Sequence, residues 1–375
     1  MTEFSFDLLR RRPDVEADNL FAVDAADRLL LDTAATALAG CMPGEVVTVG
    51  DRYGALTLGA ASGGVLGIRT HQDALSGELA LAANADRFGL RDAYHSLPLG
   101  AELLTGARVV LLQVPRSLDS LEEIAGTIAR YSSPEVTVYA GGMVKHLALA
   151  MNEVLARRFD RVQAGLSRQK ARVIVASGFR PAAAASEWPR REFHEDLGLW
   201  VCAHGGAFAG TRVDIGTRFL LGFLSRAKPD ATSAVDLGCG TGVLAAALAT
   251  SRPQLRIVAT DQSAAAVASA TATADANGVA DRVRVLRDDG LIQQPDASAE
   301  LIVLNPPFHI GAAVHAGGAL RLFEDCARVL APGGELWTVF NSHLGYRPAL
   351  TRIVGPTRQI GRNPKFTVTV STPRS

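Results

Sequence analysis

Short apolar runs alternate with longer segments rich in alanine and leucine throughout the first half of the chain. The runs Val46–Val49, Val65–Thr70 and Ala107–Val114 have the length and composition of buried strands. The longer segments Ala22–Ala39 and Gly77–Arg87 have the length of helices. Strands that alternate with helices are typical of a parallel sheet covered by helices. This half is therefore predicted to be an α/β domain.

The second half continues the alternation. A helix is predicted to begin at Asp214 and run through Leu224, and Ala331–Gly334 is predicted to be a tight turn. Apolar and polar residues alternate in Phe366–Val370, which predicts an edge strand. The remaining predicted strands are Leu197–Ala203, Ser233–Asp236, Arg256–Thr260, Arg282–Leu286, Leu301–Leu304 and Glu335–Phe340, and the remaining helices are Val243–Thr250, Ser263–Asn277 and Ala319–Leu330. A chain of 375 residues is long enough for two domains, which we expect at residues 1–185 and 186–375.

One segment of the second half joins a strand to a helix through a glycine-rich turn. Its candidate ligand-binding residues are Asp236, Gly238, Cys239, Gly240 and Gly242. A strand, a glycine turn and a helix in this order form a crevice for a nucleotide-like ligand at the edge of a parallel sheet. The glycines allow the backbone to approach a ligand closely, and the start of the helix offers free N–H groups. The spacing Asp-x-Gly-x-Gly-x-Gly resembles that of class I S-adenosylmethionine-dependent methyltransferases.

The first half contains an incomplete copy of this turn. Gly50 and Gly54 follow the strand Val46–Val49, but Arg52 occupies the place of the middle glycine. The segment after the later strand, Gln113–Arg116, has neither paired prolines nor an aromatic residue. Two similar halves, one with intact motifs and one without, suggest duplication followed by loss of one site. We expect a degenerate methyltransferase domain that binds RNA or serves as a scaffold, and an unrelated α/β domain is the alternative.

Acidic residues end the strands that follow the intact turn. Asp261 ends the next strand, about 20 residues beyond the turn, where a carboxylate can accept hydrogen bonds from both hydroxyls of a ribose. Gln262 follows it and is expected to border the same ligand. In class I methyltransferases, which the spacing resembles, an Asp or Asn after the third strand contacts the adenine amino group. That resemblance assigns the role to Asp289, with Asp288 as the alternative.

The fourth strand leads into Asn305-Pro306-Pro307-Phe308, a sequence suited to methylation of a planar amine. Such an amine is a poor nucleophile because its lone pair is delocalised into the ring. Asn305 Oδ1 and the Pro306 carbonyl can accept the two amino hydrogens, which leaves the lone pair free, and Asn305 is also expected to border the cofactor. Pro306 and Pro307 stiffen the loop, and a flipped base can stack on Phe308, which contributes about 1–3 kcal/mol. A plain turn is the alternative.

Two segments before the glycine turn are candidates for the walls of this site. Phe208 is expected to flank the cofactor or the base, and Thr217, within Asp214–Arg218, is expected to line the mouth of the pocket. In the alternative interpretation, Asp214 simply caps the helix that begins there.

Positive charges cluster near the predicted domain boundary, which includes a predicted loop at Pro181–Ser186. Between Arg157 and Arg191, nine basic side chains face only Asp160 and Glu187. Such an excess suits contacts to RNA phosphates, which hold RNA without reading its sequence. A solvated face is the alternative. The same two interpretations apply to the C-terminal basic residues Arg347, Arg352, Arg358, Arg362, Lys365 and Arg374.

The order of these segments resembles one known family. After the eroded first turn come Phe208, Asp214–Arg218, Val235–Gly242, Asn305–His309, Asn341–Tyr346 and Lys365-Phe366. Together they resemble the two-domain ribosomal RNA guanine-N2 methyltransferases of the RsmC/RlmG type, and the last two are closer to the large-subunit enzymes. The resemblance implies two Rossmann-like class I methyltransferase domains in tandem, with a catalytic second domain built on seven strands, one of them antiparallel. It also implies methyl transfer from S-adenosylmethionine to guanine N2 in ribosomal RNA, 23S rather than 16S.

Composition argues against several other classes of protein. The four cysteines lie far apart without a Cys-x-x-Cys pair, so neither a zinc site nor a disulfide framework is expected. No segment reaches the ~18 unbroken apolar residues of a membrane span, and the N-terminus lacks the apolar region of a signal peptide. We expect a cytoplasmic monomer without a metal.

Three other functions compete with guanine-N2 methylation. The same tetrapeptide serves adenine-N6 and protein-glutamine methylation, and a non-catalytic RNA-binding or assembly factor could keep the fold. The eroded first half and the basic segment favour a large structured RNA over the first two. Intact Asp236, Asp261 and Asn305 weigh against the third.

Overall fold

Two seven-stranded sheets organise the chain, one in each of two units, Met1–Trp188 and Pro189–Ser375. The computed structural model describes residues 3–180, 187–306 and 314–374, without the side chains of residues 314–317. The loop predicted at Pro181–Ser186 therefore lies outside the described residues.

The first unit alternates strands with helices. Its strands are β1 Val46–Val49, β2 Ile68–His71, β3 Tyr94–Ser96, β4 Val109–Gln113, β5 Thr137–Met143, β6 Phe159–Ala164 and β7 Ala171–Phe179. Its helices are α1 Ala25–Ala39, α2 Ala55–Ser62, α3 Leu75–Phe88, α4 Ala101–Leu104, α5 Leu118–Tyr131 and α6 Leu149–Ala156. The sheet has the order β3-β2-β1-β4-β5-β7-β6, and β7 is antiparallel to both of its neighbours.

The second unit begins with a separate antiparallel pair of strands, β8 Arg190–His194 and β9 Leu199–Ala203. The strands of its main sheet are β10 Ser233–Leu237, β11 Arg256–Asp261, β12 Val283–Arg287, β13 Ala299–Leu304, β14 Leu330–Asn341, β15 Thr357–Arg362 and β16 Phe366–Ser371. Its helices are α7 Ile215–Leu221, α8 Val243–Ser251, α9 Ala264–Ala276, α10 Val314–Val329 and α11 Arg347–Ile353. The sheet has the order β12-β11-β10-β13-β14-β16-β15.

The two sheets have the same topology. When the strands of each sheet are numbered from its first strand, both orders become 3-2-1-4-5-7-6. In the second unit, β16 is antiparallel to β14 and β15, as β7 is to its neighbours in the first. The predicted α/β fold with two similar Rossmann-like domains is confirmed, including the single antiparallel strand that the resemblance implied.

Most predicted elements lie within a few residues of the observed ones, but the prediction that Phe366–Val370 forms an edge strand was wrong. The segment predicted as an edge is β16, which lies between β14 and β15, and the edge of the sheet is β15. All six residues of β16 are buried, including Thr367 and Thr369. Threonine is β-branched and packs well within a sheet, so its alternation with apolar residues does not mark a solvent-exposed face.

The tight turn predicted at Ala331–Gly334 lies inside a strand. β14 spans Leu330–Asn341, and its pairing with β13 passes from Ala299 opposite Leu330 to Leu301 opposite Glu335. The four residues are therefore accommodated as an irregularity in the register, with Gly333 at a positive φ of 74°. The turn signal was real, but the chain resumes the same strand after it.

The two faces of the second sheet carry different cores. Successive side chains of a strand point to opposite faces. Trp337 and Val339 of β14 pack in the cluster that contains Leu220 of α7. Phe340 packs in the opposite cluster with Phe323 of α10. This alternation identifies the face to which each residue at the end of β14 belongs.

The crevice of the first unit is filled by its own chain. The hydroxyl of Tyr53, which follows β1, donates to Asp14 Oδ2 at 2.6 Å. Asn84 Nδ2 donates to the Tyr53 carbonyl at 2.9 Å. The space that remains is a cavity of about 20 Å³, lined in part by Phe21, Asp24, Asp27, Asp51 and Gln113. A cavity of this size has no room for a nucleotide, in agreement with the incomplete glycine turn.

Acidic side chains neutralise part of the basic segment of the first unit. The sequence count included only neighbouring acids, whereas folding also brings Glu122 and Asp32 to arginines of this segment. The local excess of positive charge is therefore smaller than the sequence suggests, and an RNA contact here stays a prediction. The pairs are Arg157–Glu122, Arg158–Glu187, Arg168–Asp32 and Arg180–Asp160.

Three carboxylates meet in the filled crevice. Asp27 is 6% exposed and Asp51 is 1% exposed. Burial, reinforced by the neighbouring charge of Asp24, raises the pKa of Asp27 from its ordinary value of 3.8 to about 7. An acid whose pKa is higher in the folded than in the unfolded chain favours folding while protonated, so this contribution is lost as pH rises from about 4 to 7.

We therefore expect Asp27→Asn to flatten the dependence of stability on pH. Between pH 4 and pH 8, the free energy of unfolding of the variant should rise relative to wild type by up to about 4 kcal/mol, at about 1.4 kcal/mol for each pH unit of the shift. Chemical unfolding of the full chain at several pH values measures this. Asp92→Asn makes the same chemical change at an exposed position of the same unit and serves as control. Parallel curves for Asp27→Asn and wild type would contradict the assignment.

Candidate active site

The glycine turn after β10 adopts a backbone conformation that glycine reaches without strain. Gly238, Gly240 and Gly242 have φ values of 68°, 53° and 76°. The N–H groups of Gly238 and Cys239 donate to the Thr260 carbonyl of β11 at 2.8 and 2.9 Å. The turn is therefore anchored to the neighbouring strand at the carboxyl end of the sheet.

The three glycines differ in what a side chain would meet. At Gly238 and Gly240, a Cβ would have no atom of the described residues within 4 Å. At Gly242, a Cβ would lie 2.9 Å from the Cα of Ala270 in α9. Gly242 is thus required for packing, whereas Gly238 and Gly240 leave room for a ligand beside the backbone of the turn.

Asp236, the last residue but one of β10, has one carboxylate oxygen bonded and the other unpaired within the described residues. It is 1% exposed, and its Oδ2 accepts from the Ala245 N–H of α8 at 3.0 Å. Its Oδ1 is buried and has no hydrogen-bond partner among the described residues. Burial raises the pKa of Asp236 to about 7, and the charge of Asp261 contributes in the same direction. The free oxygen is a place for a donor or a cation.

Asp261 is fixed at the tip of the glycine turn. Its Oδ2 accepts from the Gly240 N–H at 3.0 Å, and its Oδ1 accepts from the Ser263 N–H at 2.9 Å. These two bonds hold the carboxylate between the turn and the start of α9. Gln262 follows at the end of β11, where its carbonyl accepts from Arg287 Nε at 3.3 Å. The structure thus brings the acid predicted to hold a ribose into direct contact with the predicted turn.

The two acids after β12 have different partners. Asp289 is 4% exposed, and both of its oxygens accept from the guanidinium of Arg321 in α10. Asp288 Oδ2 accepts from the Gln293 N–H at 3.0 Å, and the Asp288 N–H donates to the Asp261 carbonyl at 3.0 Å. An adenine contact from Asp289 would use the lone pairs that Arg321 leaves, and Asp288 stays the alternative.

Asn305, directly after β13, has an amide whose orientation is fixed. Its Nδ2 donates to Asp214 Oδ2 at 3.0 Å and to Thr217 Oγ1 at 2.9 Å. A carboxylate only accepts, so the nitrogen of the amide must face Asp214 and the oxygen must face away. Asn305 Oδ1 is buried and unpaired within the part of the chain that the structure describes. A buried acceptor without a partner costs about 1–3 kcal/mol, which a donor on a substrate would recover.

Asp214 both caps a helix and holds Asn305. Its Oδ2 accepts from the N–H groups of Gly216 and Thr217 at 2.8 and 3.2 Å, so it is the N-cap of α7. A Cβ at Gly216 would lie 3.2 Å from Phe366 Cε1 and 3.4 Å from Asn305 Nδ2. The two interpretations of Asp214 are therefore not exclusive, because the capped helix start is the wall against which the Asn305 amide rests.

The other predicted site residues are less constrained. Phe208 lies in the loop after β9 with 63% of its surface exposed, and Pro306 is buried. Pro307 and Phe308 lie outside the described residues, so stacking of a base on Phe308 stays a prediction. Cys239 is 8% exposed, and burial raises the pKa of its thiol well above the ordinary value, which keeps it neutral. Cys239 contributes its backbone to the turn.

Two contacts of the site were not predicted from the sequence, the packing of Gly216 beside Asn305 and the ion pair of Arg321 with Asp289. Glycine is unfavourable in the first turn of a helix, so Gly216 after Asp214 was a usable signal of close packing. Arg321 gave no such signal, because its partner Asp289 lies 32 residues away in the chain.

The described residues offer neither a metal cluster nor a membrane span. Across residues 3–180, 187–306 and 314–374, no group of three or more His, Cys, Asp or Glu side chains is placed to hold a metal ion. Within those same ranges, no helix is long and apolar enough to cross a membrane.

Two family models match the chain, one for each unit. The RLMG N-terminal domain matches residues 1–180, and the Methyltransferase small domain matches residues 198–370. The second match contains all of the site residues from Phe208 to Asn305.

Curated relatives match over nearly the full length. Ribosomal RNA large subunit methyltransferase G of Ectopseudomonas mendocina (strain ymp) is 36% identical over 370 residues, 98% of this chain and 97% of the relative. The protein of the same name from Streptomyces coelicolor is 36% identical over 375 residues, 96% of each chain. Among solved structures, the T. thermophilus 16S rRNA N2 G1207 methyltransferase (RsmC) in complex with AdoMet and guanosine has a TM-score of 0.74 at 20% identity, covering 94% of this chain and 92% of that one. At that identity the likeness supports the fold.

We expect Gly242→Ala to destabilise the protein more than Gly240→Ala does. Both place alanine at a positive φ, which costs about 1–2 kcal/mol, and Gly242→Ala adds an overlap with the backbone of Ala270 that costs roughly 1–3 kcal/mol more. Urea unfolding measures both losses. Gly278→Ala, at a φ of 66° with no described atom within 4 Å of its Cβ, isolates the backbone cost. Equal losses at Gly242 and Gly278 would show that the packing argument is wrong.

Proposed function

The chain belongs to the ribosomal RNA large subunit methyltransferase G family, and from that premise we propose that it transfers a methyl group from S-adenosylmethionine to the exocyclic N2 of a guanine in large-subunit ribosomal RNA. The relatives' names give the class of RNA, and the relative of known structure was described with AdoMet and guanosine. The observation that carries the proposal is the Asn305 amide, which is held so that only its oxygen is free.

The residues around the glycine turn fit the cofactor. The open space beside Gly238 and Gly240 admits a ligand against the backbone, and we assign the ribose diol to Asp261, whose carboxylate is held at the tip of the turn. The unpaired Oδ1 of Asp236 suits the ammonium group at the amino-acid end of the cofactor. When bound, S-adenosylmethionine supplies an electrophilic methyl group on a sulfonium sulfur. We assign the remaining cofactor contacts to Cys239, Gly242, Gln262, Asp289, Asn305, Phe208 and Thr217.

Asn305 activates the amine by accepting a hydrogen bond from it. Its Oδ1 and the Pro306 carbonyl accept hydrogen bonds from the two N–H groups of N2, which draws the nitrogen lone pair out of conjugation with the ring, and one of these hydrogens leaves as a proton when the methyl group is transferred. The bond from Asn305 Nδ2 to the Asp214 carboxylate polarises the amide and makes Oδ1 a better acceptor. Rotation of the amide would set Oδ1 against the carboxylate, so the acceptor is in place before the substrate arrives. We assign base stacking to Phe308 and loop rigidity to Pro306 and Pro307.

The first unit is proposed to hold the RNA. Its crevice leaves a cavity of only about 20 Å³, so the incomplete glycine turn is not used for a cofactor. Basic side chains of this unit and of the C-terminal segment would contact phosphates and set the register of the RNA. We further propose that the protein acts as a monomer, in the cytoplasm and without a metal, on RNA that is either free or part of a ribosomal particle. The domain limits proposed from the sequence are residues 1–185 and 186–375.

The function is tested in a strain that lacks this gene. Mass spectrometry of nucleosides from large-subunit ribosomal RNA should show a loss of N2-methylguanosine, which the wild-type gene restores. Undiminished N2-methylguanosine would overturn the proposal. A loss of N6-methyladenosine would favour adenine methylation, and a loss of methylated glutamine in a ribosome-associated protein would favour protein methylation. Normal methylation with defective ribosome assembly would favour the non-catalytic alternative.

Asn305→Ala should remove most turnover while leaving the cofactor bound. Loss of one positioned polar group in an active site typically lowers the rate by about 10²–10³-fold. Single-turnover methylation of unmodified large-subunit rRNA measures the rate. Calorimetry with S-adenosylhomocysteine should give a Kd within about threefold of the wild-type value, a difference in binding free energy of less than about 1 kcal/mol.

Asn152→Ala is the matched control for this variant. Asn152 lies in α6, and its Oδ1 is also buried without a partner in the described structure. Truncation there removes the same kind of atom from the first unit, which carries none of the assigned cofactor or amine contacts, so turnover should be unaffected. Wild-type turnover in Asn305→Ala would contradict the assigned role.

Cofactor affinity should rise with pH through the titration of Asp236. Its pKa of about 7 means that the carboxylate is mostly protonated at pH 6 and ionised at pH 8. Because an ammonium group binds the ionised form, the affinity for S-adenosylhomocysteine should increase about tenfold over this range. Asp236→Asn should bind weakly at pH 8 and lose this dependence. Calorimetry at pH 6, 7 and 8 measures the affinity of both proteins. If the affinity of Asp236→Asn rises as steeply with pH as that of wild type, Asp236 is not the source of the dependence.

A further inference from the structure

A second unpaired amide lies near Asn305. Asn341 is the last residue of β14, and its Oδ1 is buried without a hydrogen-bond partner among the residues that the structure describes. The residue as a whole is half-buried, and it lies at the carboxyl end of β14. An orphaned acceptor of this kind costs about 1–3 kcal/mol unless a ligand pairs with it.

Asn341 and Asn305 point to the same face of the sheet. Residues two apart in a strand share a face. Val303 precedes Asn305 by two positions, and Val339 precedes Asn341 by two positions. Both valines belong to the core cluster that contains Leu220 of α7. The two asparagines therefore face α7, the helix whose first turn holds the Asn305 amide.

The two amides also lie close together at the carboxyl ends of β13 and β14, which are adjacent in the sheet. β13 and β14 are parallel neighbours with Leu304 opposite Thr338, so Asn341 stands diagonally beyond Asn305, at a backbone separation of roughly 7–8 Å. Asn341 is paired with Phe366 of β16. The Phe366 ring lies 3.2 Å from the Cβ position of Gly216, which is itself 3.4 Å from Asn305 Nδ2. Phe366 is therefore the strand neighbour of Asn341 and lies against Gly216, which borders the Asn305 amide.

The Watson–Crick edge of guanine matches this pair of acceptors. It presents the N1 hydrogen directly beside the two hydrogens of N2, so three donors lie in a row. Adenine and 2-aminopurine carry an unprotonated N1, which is an acceptor. We propose that Asn341 Oδ1 accepts the N1 hydrogen of the target guanine while Asn305 Oδ1 accepts a hydrogen of N2. This inference rests on the proposed function and adds to it a residue that selects the base.

Asn341 selects for guanine because a base without an N1 hydrogen cannot pair with its oxygen. A base with an unprotonated N1 would bury its own lone pair against the Asn341 oxygen, and both would be left without a hydrogen. A site built to pair with a polar group discriminates strongly against an analogue that lacks it, and one such bond accounts for about 10–100-fold. Asn341 is thus a specificity residue, and the amine itself is activated by Asn305.

The test compares two bases at one position. A fragment of large-subunit rRNA is prepared with either guanine or 2-aminopurine at the site whose methylation is lost in the deletion strain. 2-Aminopurine keeps the amine that accepts the methyl group but lacks the N1 hydrogen. The wild-type enzyme should prefer guanine by about 10–100-fold in kcat/KM. Asn341→Leu, of similar volume, should lower kcat/KM for guanine by that factor and leave 2-aminopurine unchanged, so that the preference disappears.

Two further variants separate specificity from structure. Asn341→Asp keeps an acceptor and should keep the preference for guanine, and Asn341→Ala replaces Asn341→Leu if the larger side chain impairs folding. Asn305→Ala should lower kcat/KM for both bases alike. An unchanged preference in Asn341→Leu and Asn341→Ala, or an equal loss for both bases, would overturn the role of Asn341 while guanine methylation stands. The proposed function itself is judged separately, because undiminished N2-methylguanosine in the deletion strain would overturn it whatever the outcome at Asn341.

Discussion

The carboxylate of Asp214 joins the start of α7 to the end of β13 in the second unit. Its Oδ2 accepts from two N–H groups of the helix and from the amide nitrogen of Asn305. An N-cap contributes about 1 kcal/mol to stability, so the interaction would be present for structural reasons alone. Because a carboxylate accepts and does not donate, the same cap also determines which atom of the Asn305 amide faces outward. The reactive orientation of Asn305 is therefore a consequence of ordinary helix capping.

The two sheets show how one fold supports both a filled and an open crevice. In the first unit, Asp51 follows β1 and accepts from the N–H groups of Leu56 and Thr57 at 2.9 and 2.7 Å, so both of its oxygens are used within the unit. In the second unit, Asp236 lies in β10 just before the glycine turn, and one of its oxygens has no partner among the described residues. The strand order is common to both units, and the difference lies in which polar atoms the chain leaves unpaired.

Much of this arrangement could be predicted from the sequence, because its signals are local. Short apolar runs predicted most of the strands but not β3, β5, β6, β7, β8 and β15. The glycine turn and the segment after β13 predicted residues that meet at the carboxyl end of the second sheet. The rest depends on contacts between distant residues. The pairing of Arg321 with Asp289 has no local signature. The interior position of β16 was missed because Thr367 and Thr369 resemble a polar face until their burial is known. The unpaired oxygen of Asn341 is visible only once its neighbours are known.

The unpaired acceptors also bear on the choice between guanine and adenine. Asp236, Asn305 and Asn341 each keep a buried oxygen without a partner in the described part of the chain, and they lie at the ends of β10, β13 and β14, which are adjacent in the sheet. Such a row costs stability unless a ligand brings a matching row of donors. The cofactor's ammonium group would occupy the first acceptor. An adenine amine would satisfy Asn305 but place the lone pair of N1 or N7 against the next acceptor. Guanine supplies N2 and N1 hydrogens together, so the acceptors beyond the tetrapeptide favour guanine over adenine.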